Sequence, residues 1–174
     1  MVDDNYDFLE LDDVTRTFML DELDYDIGIH GNTYVSGALT QRGRADYAEL
    51  IRQALTAHDE VWLTGQLNSD GRISSERTDA ARRLAGTEYN RYYIRAICRR
   101  AESHGSTAVI PYRARDSVAK RADSIQLEDQ PQAAPRVLAN LRGKAIAGDP
   151  ESGLGRVNSG LSARCGCVTC LEST

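Results

Sequence analysis

A chain of 174 residues, 41% of them hydrophobic and with a net charge of −5, is sized for one compact domain with loose ends. It contains no apolar run of about 18 residues, which excludes a membrane-spanning helix. Its start, MVDDNYDFLELDD, is acidic and lacks a basic flank before an apolar stretch, so no signal peptide is expected.

Residues 1–11 read as an acidic arm whose Tyr6, Phe8, Leu9 and Leu11 can dock on a neighbour. Asp12 or Asp13 then caps a helix running to about Asp26, with Val14, Phe18, Leu23 and Ile27 pointing inward. Gly28, Gly31 and Asn32 end it, and Thr33-Tyr34-Val35 is a short β-prone piece. Thr40 caps a second helix that buries Tyr47, Leu50, Ile51, Ala54 and Leu55. His58-Asp59 interrupts it and opens a third, short helix carrying Val61, Trp62, Leu63 and Leu67. The NSDGR run from Asn68 to Arg72 is a turn. Ser74 to Leu84 is polar and basic, reads as a helix facing solvent or a partner, and is separated by Gly86 from the central helix.

That central helix is expected from Thr87 to His104, with Thr87 as N-cap and Gly105 as the residue that turns the chain away. Tyr89, Tyr93, Ala96, Ile97 and Arg100, widened by Ile94, Cys98 and Ala101, form its inward stripe. Arg91, Arg95 and Arg99 recur every four residues on another face, a basic back that can meet a partner surface or phosphates. Ala108-Val109-Ile110, stopped by Pro111, suits an edge strand that pairs with residues 33–35. Residues 113–132 look irregular. Pro135 sits at the first turn of a last helix that packs Val137, Leu138 and Leu141. From Gly143 on, the chain is a Gly/Ser-rich tail with too little apolar content to fold alone.

The expected fold is therefore mainly α: four to five helices and a minor short-strand element. The arm spans residues 1–11, the helical body 12–142 and the tail 143–174. Charge is segregated along this plan. Residues 1–26 hold ten acids against Arg16 alone, while residues 72–121 hold twelve bases and five acids. Such separation steers contacts between copies or with an oppositely charged partner, or else the acidic end folds back onto the basic helix of its own chain.

Near the C-terminus Cys165, Cys167 and Cys170 form C-x-C-x-x-C. Thiolates at this spacing can converge on one zinc, with the fourth ligand from Cys98, a histidine or another subunit. Disulfides and unligated thiols remain as alternatives, because no second C-x-x-C pair completes a zinc ribbon. Cys98 lies on the apolar side of the central helix and reads as a buried thiol acting as a small hydrophobe. No sequence pattern sets a base beside a nucleophile, and no phosphate-binding glycine loop or dinucleotide fingerprint occurs. No enzymatic role is expected.

Four segments occur together: YVSGALTQRGRADYAELIRQAL at Tyr34–Leu55, TEYNRYYIRAICRRA at Thr87–Ala101, IPYRAR at Ile110–Arg115 and VNSGLSAR at Val157–Arg164. Together they resemble a family of small proteins encoded by tailed viruses and proviruses in the head-gene region, near the portal and major capsid protein. The resemblance covers under half of the chain. It implies a virion structural part or head-assembly accessory, present in several copies on capsid or portal/connector proteins and found in the virion and, during assembly, the host cytoplasm. It supplies no catalytic residues. The family pattern ends soon after NSGLS, whereas this chain continues with CGCVTCLEST. Lysine occurs only at Lys120 and Lys144, so nearly all positive charge is arginine, and the pI is about 5.2; a tailed virus of a halophilic archaeon reconciles the two.

On this reading Arg91, Arg95, Arg99, Tyr6 and Phe8 bind the partner, and Cys165, Cys167 and Cys170 fasten the tail through zinc or a cross-link. The alternative is a zinc-dependent nucleic-acid-binding regulator that uses the same arginines and cysteines.

Overall fold

The computed structural model describes residues 6–30, 39–74, 78–115, 122–143 and 167–171. Six helices and a small sheet emerge among them: α1 (Asp13–His30), α2 (Gln41–Ala57), α3 (Glu60–Asn68), α4 (Ala80–Ser103), β1 (Ala108–Arg113), α5 (Ala122–Leu127), β2 (Gln132–Ala133), α6 (Ala134–Gly143) and β3 (Cys167–Leu171). The mainly helical class is as expected. The extra helix is α5, one short turn in the stretch read as irregular.

Local chemistry sets the helix ends. Asp12 accepts from the Thr15 N–H at 2.9 Å and caps α1. Thr40 caps α2 by accepting from Gly43 N–H at 3.1 Å. Asp59 does the same for α3 through Trp62 N–H at 2.8 Å. Gly105, at φ +77°, ends α4. There Ser106 N–H reaches Ala101 O at 2.9 Å and Gly105 N–H reaches Glu102 O at 3.0 Å, the paired 6→1 and 5→2 bonds of a Schellman end. Asp70 and Gly71 both take positive φ and turn the chain between α3 and α4.

Several expectations hold residue by residue. Tyr47, Leu50, Ile51, Ala54 and Leu55 are the buried face of α2, and Val137, Leu138 and Leu141 are buried on α6. Others need correction. Gly86 does not divide two helices, and Thr87 is not a cap: α4 runs unbroken through both. A glycine costs an α-helix only about 1 kcal/mol, less than burial of the surrounding turn returns. Here it makes room for the arm, since a Cβ on Gly86 would lie 3.3 Å from the Tyr6 ring. Val14 points outward, 49% exposed. Met19, at 0% exposure, holds the inward position on α1 instead.

β1 runs on through Pro111 and is the centre of the sheet, in the order β2-β1-β3 with both pairings antiparallel. The proline is tolerated because β2 ends opposite Val109. Beyond that point a loop lies alongside, and its Asp129 N–H donates to Pro111 O at 2.8 Å. The expected pairing with residues 33–35 concerns residues outside those described. The partner of β1 comes from the tail instead, as β3.

α4 is the axis of the molecule. It contacts α1, α3, α6, β3, β1 and α2, and from Ala85 to Cys98 every residue is buried. Such a helix has no solvated back, which decides where its arginines go.

Candidate functional site

The arginine row of α4 does not form an open basic face. Arg95 is 0% exposed and Arg91 3%. Both meet carboxylates on the inward side of α1, where Glu22 and Asp26 sit one turn apart and are themselves 0% exposed. Arg95 donates from Nε to Glu22 Oε2 at 2.8 Å, and its Nη1 and Nη2 grip the two oxygens of Asp26 at 2.8 and 2.9 Å. This is the bidentate fork geometry that makes arginine strong in such a place. Nη2 also reaches the Glu22 backbone carbonyl at 3.3 Å.

The cluster extends on both sides. Arg142 of α6 donates to Glu22 from Nε at 2.9 Å and from Nη2 at 2.5 Å, and Arg99 Nη1 reaches Glu22 Oε1 at 3.2 Å. Three guanidinium groups thus converge on one carboxylate. On the other side Arg91 Nη2 donates to Glu88 Oε2 at 2.9 Å and to Tyr92 Oη at 3.0 Å. Tyr92 in turn donates to Asp26 Oδ2 at 3.0 Å. Three helices, α1, α4 and α6, are stitched together.

Burial and pairing compete at each carboxyl, with opposite results. Burial alone would raise Glu22, but hydrogen bonds from Arg142 and the charge of Arg95 outweigh it and hold Glu22 below the usual glutamate range. Glu88 is pushed up to about 8, by burial first and by the nearby Asp26 second, against a hydrogen bond from Tyr47 and the pull of Arg95. The Arg91 Nη2 that donates to Glu88 at 2.9 Å is shared with Tyr92 and with Asp26 at 3.5 Å.

The assignment of Arg91 and Arg95 to partner binding is therefore corrected. A guanidinium with its charge consumed by its own chain and no path to solvent cannot meet a partner or a phosphate. Arg99 alone of the row reaches the surface, its side chain 36% exposed. The acidic end does fold back on the basic helix.

Tyr6 and Phe8 are likewise seated on their own subunit. Tyr6 is 8% exposed, and its ring stacks on Phe8 at 5.3 Å. Phe8 packs against Tyr93 at 4.5 Å and Tyr89 at 5.4 Å. Tyr6 N–H donates to the buried Glu60 at 2.9 Å, whose carboxyl burial raises against that bond. Arg115 lies over the Tyr6 ring at 4.5 Å.

Of the cysteines, Cys165 lies outside the described residues. Cys167 and Cys170 begin and nearly end strand β3. Three residues of strand span about 10 Å, whereas a C-x-x-C metal knuckle is a tight turn. Among the described residues no group of three His, Cys, Asp or Glu stands ready to hold a metal. Cys98 is a free thiol at 0% exposure, and burial pushes it well above the ordinary thiol range. It is an inert core residue.

Sequence reasoning passed over Glu22, Asp26, Glu88, Tyr92 and Arg142. One signal was available. Glu22 and Asp26 fall among Met19 and Leu23 on α1, at the same four-residue repeat as Arg91, Arg95 and Arg99. Matching repeats of opposite sign on two long helices point to a facing pair. Compared with protein families, curated proteins and solved structures, the chain matches none. Among the described residues no helix is long and apolar enough to cross a membrane.

Proposed function

We propose that this chain is a structural component of a tailed-virus head, associated with capsid or portal/connector proteins in several copies and without an enzymatic step of its own. The observation that carries the reading is how the charged groups are used. Arg91, Arg95, Glu22 and Asp26, the groups with most chemical potential, are spent on bracing α1, α4 and α6. A body braced in this way serves as a rigid spacer. Of the described arm, Leu9 is 61% exposed and open to a neighbour. The resemblance of Tyr34–Leu55, Thr87–Ala101, Ile110–Arg115 and Val157–Arg164 to head-region proteins supports the same reading. Multiplicity in a lattice compensates for weak single contacts.

The test is mass spectrometry of purified particles from a virus or induced provirus carrying this gene. Recovery of peptides from this chain in stoichiometric proportion to capsid or portal protein is expected. Particles that contain the capsid protein and lack this chain overturn the proposal.

A further inference from the structure

Among the described residues, one side of α1 is left uncovered. Val14, Phe18, Tyr25 and Ile29 are spaced at intervals of four, seven and four residues, a strip about 22 Å long within about 60° of arc. Val14 is 49%, Tyr25 39% and Ile29 55% exposed, and Phe18 is half-buried. Beside the strip Thr17, Asp21, Asp24 and Gly28 are exposed too, while α4 and α6 cover the side of Glu22 and Asp26. α2 covers the side of Arg16, which bonds the Leu55 carbonyl, and its Arg52 pairs with the exposed Asp24 at 2.6 Å.

The two margins of the strip differ in charge. Toward α2 stands the exposed Asp21; Asp24 beside it is already paired with Arg52. Toward α4 and α6 stand Arg99 and Arg142, over the Phe18 ring at 5.8 Å and the Tyr25 ring at 4.2 Å. Arg95 is matched by Asp26, which leaves Arg99 and Arg142 sharing the one carboxylate of Glu22, so that margin carries surplus positive charge. Asp21 lies between Phe18 and Tyr25, the residues the two arginines touch, along α1.

We propose that this strip is a self-association face on which two copies pair α1 against α1, parallel, about a two-fold axis running along the helices. The charges decide the direction. With the axis along the helices, the acidic margin of one copy lies against the arginine margin of the other, at matching height. With the axis across them, in an antiparallel pair, acid meets acid and arginine meets arginine. The strip is far smaller than the roughly 800 Å² per partner of a standard stable interface. The pairing is therefore weak and salt-sensitive, suited to copies already held near each other. It goes beyond the virion reading, since it holds whichever assembly the chain serves.

Sedimentation equilibrium of the full chain, at low salt and up to about 1 mM, is expected to show a monomer–dimer equilibrium that salt weakens. Ile29→Asp and Asp21→Arg are each expected to raise the dimer dissociation constant about tenfold or more. Val61→Asp, an equally exposed change on α3, is expected to leave it unchanged. A Val14→Cys variant, oxidised and peptide-mapped, is expected to form a disulfide between the two substituted positions, which a parallel pair sets side by side and an antiparallel pair sets at opposite ends. A monomer at every concentration overturns the proposal, as does a dimer indifferent to Ile29→Asp. A dimer that responds to Ile29→Asp without the position-14 cross-link overturns the parallel axis. None of these outcomes depends on whether the chain is found in particles.

Discussion

Arg95 shows how burial turns a charge from a liability into a brace. Taking a guanidinium out of water is costly, and the four bonds to Glu22 and Asp26, with the Tyr92 ring 5.4 Å away, offset that cost. Removing it leaves two carboxylates buried with too little positive charge around them. Arg95→Ala is therefore expected to destabilise the fold by about 3–5 kcal/mol, measured by urea unfolding followed by circular dichroism. A loss below about 1 kcal/mol would show that water reaches the cluster. The same network sets a pH profile with two slopes. Glu22, held below its ordinary value of 4.5, adds stability above that pH, which disappears as the pH falls through its lower folded value. Glu88 works in the other direction. With a folded value of about 8 against an ordinary 4.5, the native state binds the extra proton between those limits, and stability declines as the pH rises across them. Glu88→Gln is expected to flatten the urea midpoint between pH 5 and pH 8 while leaving the acid limb intact. An unchanged slope in the variant would assign the decline to another group.

At the scale of elements, legibility followed whether a signal was local. Caps and stops were readable because the side chain acts on its own backbone, as Thr40, Asp59 and Gly105 do. The face of α2 was readable because it packs on one side only. α4 was misread for the opposite reason. A helix buried all round has no polar face, so its arginines are placed by α1 and α6 and not by its own period. Gly86 looked like a boundary because the ring that lies against it belongs to Tyr6, far away in sequence. The tail strand was invisible for a similar reason: β3 has a partner only because β1 is already in place. Glycine contrasts test how far such close approaches matter. A Cβ on Gly43 would sit 2.3 Å from the Arg72 carbonyl oxygen, whereas on Gly65 it meets nothing within 4 Å. Gly43→Ala is expected to cost about 1–3 kcal/mol as α2 is pushed off the turn. Gly65→Ala is expected to gain up to about 1 kcal/mol from helix propensity. Thermal unfolding of the two variants side by side decides it, and equal midpoints would remove the contact from the account.

Across the whole molecule, the first described residues and the last meet on one side of α4. Glu10 accepts from the Leu171 N–H at 3.0 Å through its side chain, while its own N–H donates to Tyr93 Oη at 3.1 Å. Tyr112, on the middle strand, accepts from Leu9 N–H at 2.9 Å and donates to the Asp7 carbonyl at 3.0 Å. The arm thus locks the sheet that the tail completes. Two substitutions separate its apolar hold from its polar one. Phe8→Ala removes a ring packed on Tyr89 and Tyr93 and is expected to cost about 2–3 kcal/mol, less than for a fully enclosed ring. It should also speed hydrogen exchange throughout residues 6–11. Glu10→Ala leaves that packing alone and strips one acceptor from an edge strand. Its expected effect is a change in global stability of about 1 kcal/mol or less, with faster exchange concentrated at the Leu171 amide. If the Leu171 amide is equally protected in both proteins, the strand is held by β1 alone and the arm is a cover, not a clasp. If Glu10→Ala instead loosens the whole of β3, the two ends fold as one unit, and a partner that pulls on either end would release the other.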